Sequence, residues 1–94
     1  MEVIIRKQYL KDLRKVPKSV FVEADSIIDK LKIAKSLDKS GVDYKKMQGQ
    51  GKSKNYYRIR IGSWRMGIEL KMPSVVVIAI LSRGEIYKYF PPKN

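Results

Sequence analysis

Between Tyr56 and Leu70, apolar and polar residues alternate on both sides of Gly62-Ser63. A two-residue connection with glycine first predicts a β-hairpin closed by a type II′ turn. Counting outward from that turn sets Ile61 opposite Trp64, Arg60 opposite Arg65, Ile59 opposite Met66 and Arg58 opposite Gly67. One face of the hairpin then carries Tyr57, Ile59, Ile61, Trp64, Met66, Ile68 and Leu70, a continuous apolar surface expected to lie on a core. The other carries Arg58, Arg60 and Arg65. Like charges directly opposite on a ladder are destabilising, so setting Arg60 against Arg65 calls for solvent or an anion to relieve it.

The remaining pattern supplies the elements around this hairpin. Val3, Ile4 and Ile5 predict a short strand over residues 2–7, partly or fully buried. Tyr9, Leu10 and Leu13 stand at helical spacing among charges over residues 8–15, and Pro17 ends that helix. Val20, Ala24, Ile27, Ile28, Leu31 and Ala34 form the stripe of a second, longer helix, with Ser36 to Gly41 closing it. After the hairpin, Pro73 marks a turn, and Val75 to Leu81 is an unbroken, β-branched apolar run. Such a run predicts a strand covered on both faces. The helices can cover one face; the other is expected to need a bound protein.

Composition changes this picture through charge. The 94-residue chain has a formal net charge of +12 and a sequence pI ≈ 10.0. Its length allows one domain, residues 1–94. A polyanion is the expected partner, attracted by a field that raises local concentration without conferring sequence preference. From Tyr44 to Ile68 there is no acidic residue, while Lys45, Lys46, Lys52, Lys54, Arg58, Arg60 and Arg65 all fall inside. The loop lysines Lys45, Lys46, Lys52 and Lys54 are therefore expected to bind RNA along its phosphates, although Lys45 or Lys46 singly is more often just part of a solvated loop. The chain has no cysteine and no histidine, which removes disulfides and the usual structural zinc ligands; no metal and no cofactor are expected. No apolar run is long enough for a membrane span and no basic helix carries exposed Trp or Phe, so a cytoplasmic protein without a membrane partner is expected. Gly51-Lys52-Ser53 resembles the end of a P-loop, but the motif's first glycine should stand where Lys46 does, and a strand is predicted where the motif needs a helix.

Arg58, Arg60, Arg65, Arg83 and Tyr87 form the constellation of interest. An ordinary solvated sheet face is its alternative reading, and the cross-strand Arg60 and Arg65 pair favours function. At this point the order of elements, with Tyr57-Arg-Ile-Arg-Ile-Gly-Ser-Trp-Arg65 and Arg83-Gly-Glu-Ile-Tyr87, resembles the RelE/ParE superfamily of toxins from type II toxin–antitoxin pairs, and its RelE branch in particular. The fold expected on these grounds is α+β: an antiparallel four-stranded sheet with an N-terminal helical hairpin packed on one face, in the order β-α-α-β-β-β.

The resemblance implies a toxin that acts as a ribosome-dependent, metal-free endoribonuclease on translated mRNA in the ribosomal A site, beside ribosomal RNA, and is held inactive by a cognate antitoxin protein. By position, Arg58 and Arg60 match the family's two basic strand residues facing the scissile phosphate, Arg65 the arginine past the turn, Arg83 the arginine after the last strand and Tyr87 the tyrosine that stacks on a base. A ribose 2′-OH would attack the neighbouring phosphorus with the 5′-oxygen leaving. Where the family often has lysine this chain has arginine, a poor general base, which leaves Lys52, Lys54, Glu85 and Tyr87 to be weighed as bases. The alternatives are a ParE-like DNA gyrase inhibitor and a non-catalytic basic RNA-binding domain.

Overall fold

Gly62 adopts φ +58° and, among the described residues, no residue other than glycine takes a positive φ, the signature of a type II′ turn with glycine at its first central position. The register predicted around it is the one observed, from Ile61 opposite Trp64 to Arg58 opposite Gly67. The computed structural model describes residues 1–48 and 54–92. Its elements are β1 (Glu2–Ile5), α1 (Lys7–Leu13), α2 (Lys18–Ile33), α3 (Leu37–Ser40), β2 (Tyr44–Lys46), β3 (Tyr56–Ile61), β4 (Trp64–Lys71), β5 (Ser74–Ser82) and α4 (Arg83–Tyr89).

The fold is α+β as expected, but the sheet has five strands rather than four and is mixed rather than wholly antiparallel, in the order β1-β5-β4-β3-β2. The parallel member is β1, which runs beside the first half of β5 from Glu2 opposite Ser74 to Ile5 opposite Val77. Crossing from β1 over the sheet through α1 and α2 decides that sense, and an apolar pattern does not report it. As an edge strand β1 is also less buried than its sequence implies, with Ile4 and Ile5 both exposed. The additional strand, β2, is only three residues long, too short to show alternation. Backbone bonds fix it at each end, Arg60 N–H donating to the Asp43 carbonyl at 2.8 Å and Met47 N–H to the Tyr56 carbonyl at 2.9 Å.

The predicted helical hairpin packs on one face. Tyr9 from α1 and Ala24, Ile27 and Leu31 from α2 meet Ile59, Ile61, Met66, Ile68, Val75, Val77 and Ile80 from the strands in the main core. Helix α2 ends at Ile33, earlier than expected. The segment after it forms the separate turn α3, capped by the Ser36 hydroxyl, which accepts from Lys39 N–H, and stopped by Gly41 at φ 79°. The glycine does the stopping as predicted, but of α3.

The unbroken apolar run has a different cause from the one expected. A bulge between Gly67 and Ile68 leaves Ile78 without a direct partner and resets the alternation of β5, so that Ile68 faces Val77 while Gly67 faces Ala79. Val75, Val77 and Ile80 therefore point into the main core, and Val76 and Ala79 are buried on the opposite face. That opposite face is covered by the chain itself. Ile86 and Phe90, from α4 and its C-terminal end, pack with Met47 and Tyr56, and Ile78 and Leu81 rest against them. No bound protein is needed to explain the run.

Beyond β1 the outer edge of β5 is closed by a side chain. The buried Asp12 accepts from Ile80 N–H through Oδ2 at 3.2 Å and from Gln8 through Oδ1 at 2.7 Å. Among the described residues, no helix is long and apolar enough to cross a membrane.

Candidate nucleic-acid interface

The arginine face is built by three adjacent strands. Lys45 lies opposite Arg58 across β2 and β3, and Arg60 lies opposite Arg65 across β3 and β4, so all four side chains project from the side away from the main core. The tail joins them through the hairpin turn: Arg83 N–H donates to the Ser63 carbonyl at 2.9 Å, and Ser82 pairs with Trp64 at the end of the ladder. A single turn thus sets the positions of Arg65 and of the start of α4.

Arg65 is not on an exposed face as the alternation suggests; it is only 7% exposed. Its Nη1 donates to the carbonyls of Gly62 and Trp64, each at 2.8 Å, while its buried Nε has no hydrogen-bond partner. Backbone carbonyls therefore do part of what solvent or an anion was expected to do for the Arg60 and Arg65 pair. Burial, and then the positive charge of Arg58, with Arg60 and Arg83 adding to it, pull the Arg65 guanidinium below its ordinary acidity range, and Tyr87 acts in the opposite direction. Arg58, Arg60, Arg83 and Tyr87 thus all lie close enough to act on the Arg65 guanidinium, as the strand register and the Arg83 to Ser63 bond require. Among the described residues, no carboxylate pairs with any of the four arginines; the ion pair present is Lys71 with Glu69 at 3.8 Å. Such a concentration of unpaired positive charge beside a buried donor favours a bound anion.

Next to this cluster is a cavity of about 340 Å³ lined by Lys45, Lys46, Met47, Gln48, Arg58, Tyr87, Phe90 and Pro91. It brings two predicted RNA-binding lysines, Lys45 and Lys46, beside Arg58 and Tyr87. They belong to β2 rather than to a loop. Lys54 is half-buried just before β3 and does not line this cavity. Lys52 lies outside the described residues. Arg60 and Arg83 are exposed toward the turn end of the face. Glu85 lines a different cavity of about 750 Å³, with Gln8, Asp12, Trp64 and Tyr89, so among the weighed bases it stands apart from the Lys45, Arg58 and Tyr87 cavity. Among the described residues, no three His, Cys, Asp or Glu side chains gather as they would to hold a metal ion.

The feature that sequence reasoning missed is the helix under Tyr87. The chain after β5 reads as an irregular tail, yet Arg83–Tyr89 is helical, with the Ser82 hydroxyl accepting from Glu85 N–H at 3.4 Å. The signal was available: Ser82-Arg-Gly-Glu85 has the Ser-x-x-Glu spacing of a capping box. The helix turns Ile86 inward and leaves Tyr87 58% exposed, with its ring at the cavity.

Comparison with known proteins finds relatives along almost the whole chain. The family model described as ParE toxin of type II toxin-antitoxin system, parDE, matches residues 3–87. Toxin RelE3 of Methanocaldococcus jannaschii is 37% identical over 91 residues, covering 97% of this chain and 100% of that protein. Among solved structures, the RelB-RelE antitoxin-toxin complex from Methanococcus jannaschii contains a chain 35% identical to this one, with a TM-score of 0.78, over 94% of this chain and 99% of that chain. The archaeal RelE-RelB complex from Pyrococcus horikoshii OT3 gives 25% identity and a TM-score of 0.69, over 88% of this chain and 94% of that one.

Proposed function

Because this chain belongs to the ParE toxin family of type II toxin–antitoxin systems, we propose that it is a toxin of the RelE kind: a ribosome-dependent endoribonuclease that cleaves translated mRNA and is silenced by a cognate antitoxin protein. The observation that carries this reading is the grouping of Arg58, Arg60, Arg65 and Arg83 with Tyr87 on one face of the sheet, with no carboxylate among the described residues to neutralise them. An mRNA strand supplies the missing negative charge, and the ribosomal A site supplies the frame that holds it.

The reaction that suits these groups is attack of a ribose 2′-oxygen on the adjacent phosphorus. The 2′-hydroxyl gives up its proton to a base, the bond from phosphorus to the 5′-oxygen breaks, a 2′,3′-cyclic phosphate is left on one fragment, and the departing 5′-oxygen takes up a proton. Negative charge grows on the phosphoryl oxygens as the 2′-oxygen approaches. Fixed cations around that point lower the barrier most, because they need no rearrangement as charge develops. Arg65, held by two carbonyls and largely shielded from water, is the best preorganised of them. Arg58 and Arg60 face the phosphate from the neighbouring strand, and Arg83 approaches from the start of α4. Tyr87 stacks on a base at the mouth of the cavity, with Lys45 and Lys46 following the backbone of the strand. Of the described groups weighed as base, Tyr87 is the one that lines this cavity. The antitoxin reading is supported by the two archaeal structures, which hold RelE with RelB, and by the net charge of +12, which suits an acidic mate.

The test is to induce the protein without an antitoxin, map mRNA 5′ ends, and compare wild type with Arg65→Ala and Tyr87→Phe. Growth arrest with cuts inside translated codons is expected, weakened by about 10²- to 10³-fold in Arg65→Ala, the usual cost of one transition-state donor. The family's ParE description favours a second reading, inhibition of DNA gyrase. Arrest with a DNA-damage response and intact mRNA would establish that reading instead, and growth without arrest would point to a basic RNA-binding domain.

A further inference from the structure

Gly67 occupies the middle of β4, directly opposite Arg58 on one side and Ala79 on the other. A Cβ placed on it would stand 2.8 to 2.9 Å from three ring carbons of Phe90, closer than real carbon atoms pack. The Phe90 ring therefore rests on bare backbone, a reason for glycine inside a strand. Phe90 is 2% exposed and meets Tyr56 edge to face, with centroids 5.5 Å apart. Its backbone N–H closes α4 by donating to the Ile86 carbonyl at 2.9 Å. Three residues earlier on the same helix is Tyr87, and on the strand beside Gly67 is Arg58; both line the cavity that Phe90 also lines.

We propose that Gly67 and Phe90 are positioning residues for the cleavage site: the glycine lets the ring seat on the sheet, and the seated ring fixes the height of α4, and so of Tyr87, above Arg58. A helix of seven residues has little stability of its own. Ile86 and Phe90 are the apolar side chains that hold it to the sheet, so its distance from the arginine face is set by how closely those two can approach. At Ile86 the neighbours are side chains that can repack. At Phe90 the floor is strand backbone, which cannot.

The consequence for catalysis rests on the nuclease reading; the seating of α4 does not. Gly67→Ala, Phe90→Leu and the double variant would be compared with wild type by backbone amide exchange and by single-turnover cleavage of ribosome-bound mRNA. In Gly67→Ala, exchange is expected to rise across Arg83–Tyr89 while β3 and β4 stay protected. The maximal cleavage rate is expected to fall by about 100-fold, as a small misplacement of a reacting group does, with half-saturation little changed. Adding Phe90→Leu removes Cε1 and replaces the rigid ring with a shorter branched chain that can turn its Cδ atoms away from the new methyl, and should restore at least about tenfold of the lost rate. Wild-type exchange and cleavage in Gly67→Ala would overturn the proposal. So would loss of protection throughout the sheet, which would make Gly67 a general packing residue, or failure of the double variant to recover. Selective loosening of α4 in Gly67→Ala, relieved in the double variant, together with a wild type that cuts no mRNA, would uphold the seating and remove the nuclease reading.

Discussion

The two faces of the central sheet are held by very different amounts of apolar material. Among the described residues, twelve buried ones from two helices, α3 and the strands form one continuous core on the first face, whereas four, Met47, Tyr56, Ile86 and Phe90, form the cluster on the second. The first face therefore carries the stability of the fold. The second carries the charge, with Lys45, Arg58, Arg60 and Arg65 projecting from it and Tyr87 held above it by a short helix. Charged groups gathered without partners oppose folding, so they have to be mounted on a platform stabilised elsewhere. Regions with few apolar contacts are also the first to open locally, which places the adjustable part of this molecule at its candidate site.

The largest effect that would test this division is a cavity in the first core. Ile59 is fully buried, and Ile59→Ala is expected to cost about 2 to 5 kcal/mol of global stability in urea unfolding. Ile86 is equally buried, but Ile86→Ala should loosen α4 locally, lowering the urea midpoint less while raising amide exchange over Arg83–Tyr89. Equal midpoint shifts in the two variants would show that both faces unfold as one unit, and the comparison would fail.

How far the sequence discloses this arrangement depends on the range of each interaction. The hairpin register is legible because a two-residue turn and strict alternation are local, and they place Arg58, Arg60 and Arg65 on one face without further information. The long stripe of α2 is legible for the same reason. What could not be read involves contacts between distant segments. The parallel sense of β1 depends on how α1 and α2 cross the sheet, and β2 shows no period in three residues. The burial of Arg65 contradicts its polar position in the alternation, because the turn carbonyls and the tail fold over it. Gly67 reads only as a gap opposite Arg58 until Phe90 is seen against it. Helix α4 is a different case: Ser82 and Glu85 mark its start locally, by the spacing of a capping box.

Next in size is the edge of β5. Asp12→Ala would leave the buried Ile80 N–H without its acceptor, at an expected cost of about 1 to 3 kcal/mol. Asp12→Asn, which keeps an acceptor oxygen, should cost less. A smaller, pH-confined effect belongs to Tyr9, whose phenol is pushed from 10.0 up to about 12, first by burial and then by Asp25. Between those values the unfolded chain has lost this proton and the folded chain keeps it, so stability falls as pH rises through the window, by about 1.4 kcal/mol per unit at most. Tyr9→Phe should flatten that slope in urea unfolding at pH 10 to 12 and leave the slope at neutral pH unchanged.

The smallest effect on stability is also the one that separates the faces most clearly. Arg60 is exposed and stands opposite Arg65, a like-charge pair across a ladder. Removing it should not destabilise the protein, and relief of the repulsion should stabilise it by a few tenths of a kcal/mol, up to about 1. The same change removes one cation from the arginine face. Binding to a short RNA should then weaken at every sequence, and the slope of log affinity against log salt should fall by about 1. Arg60→Ala measured by urea unfolding and by RNA titration across salt concentrations gives both quantities from one variant. A gain in stability together with a loss of salt-dependent affinity is the behaviour of a residue kept for its ligand. A loss of stability with unchanged RNA binding would assign Arg60 to the fold, and the separation of work between the two faces would not hold at its centre.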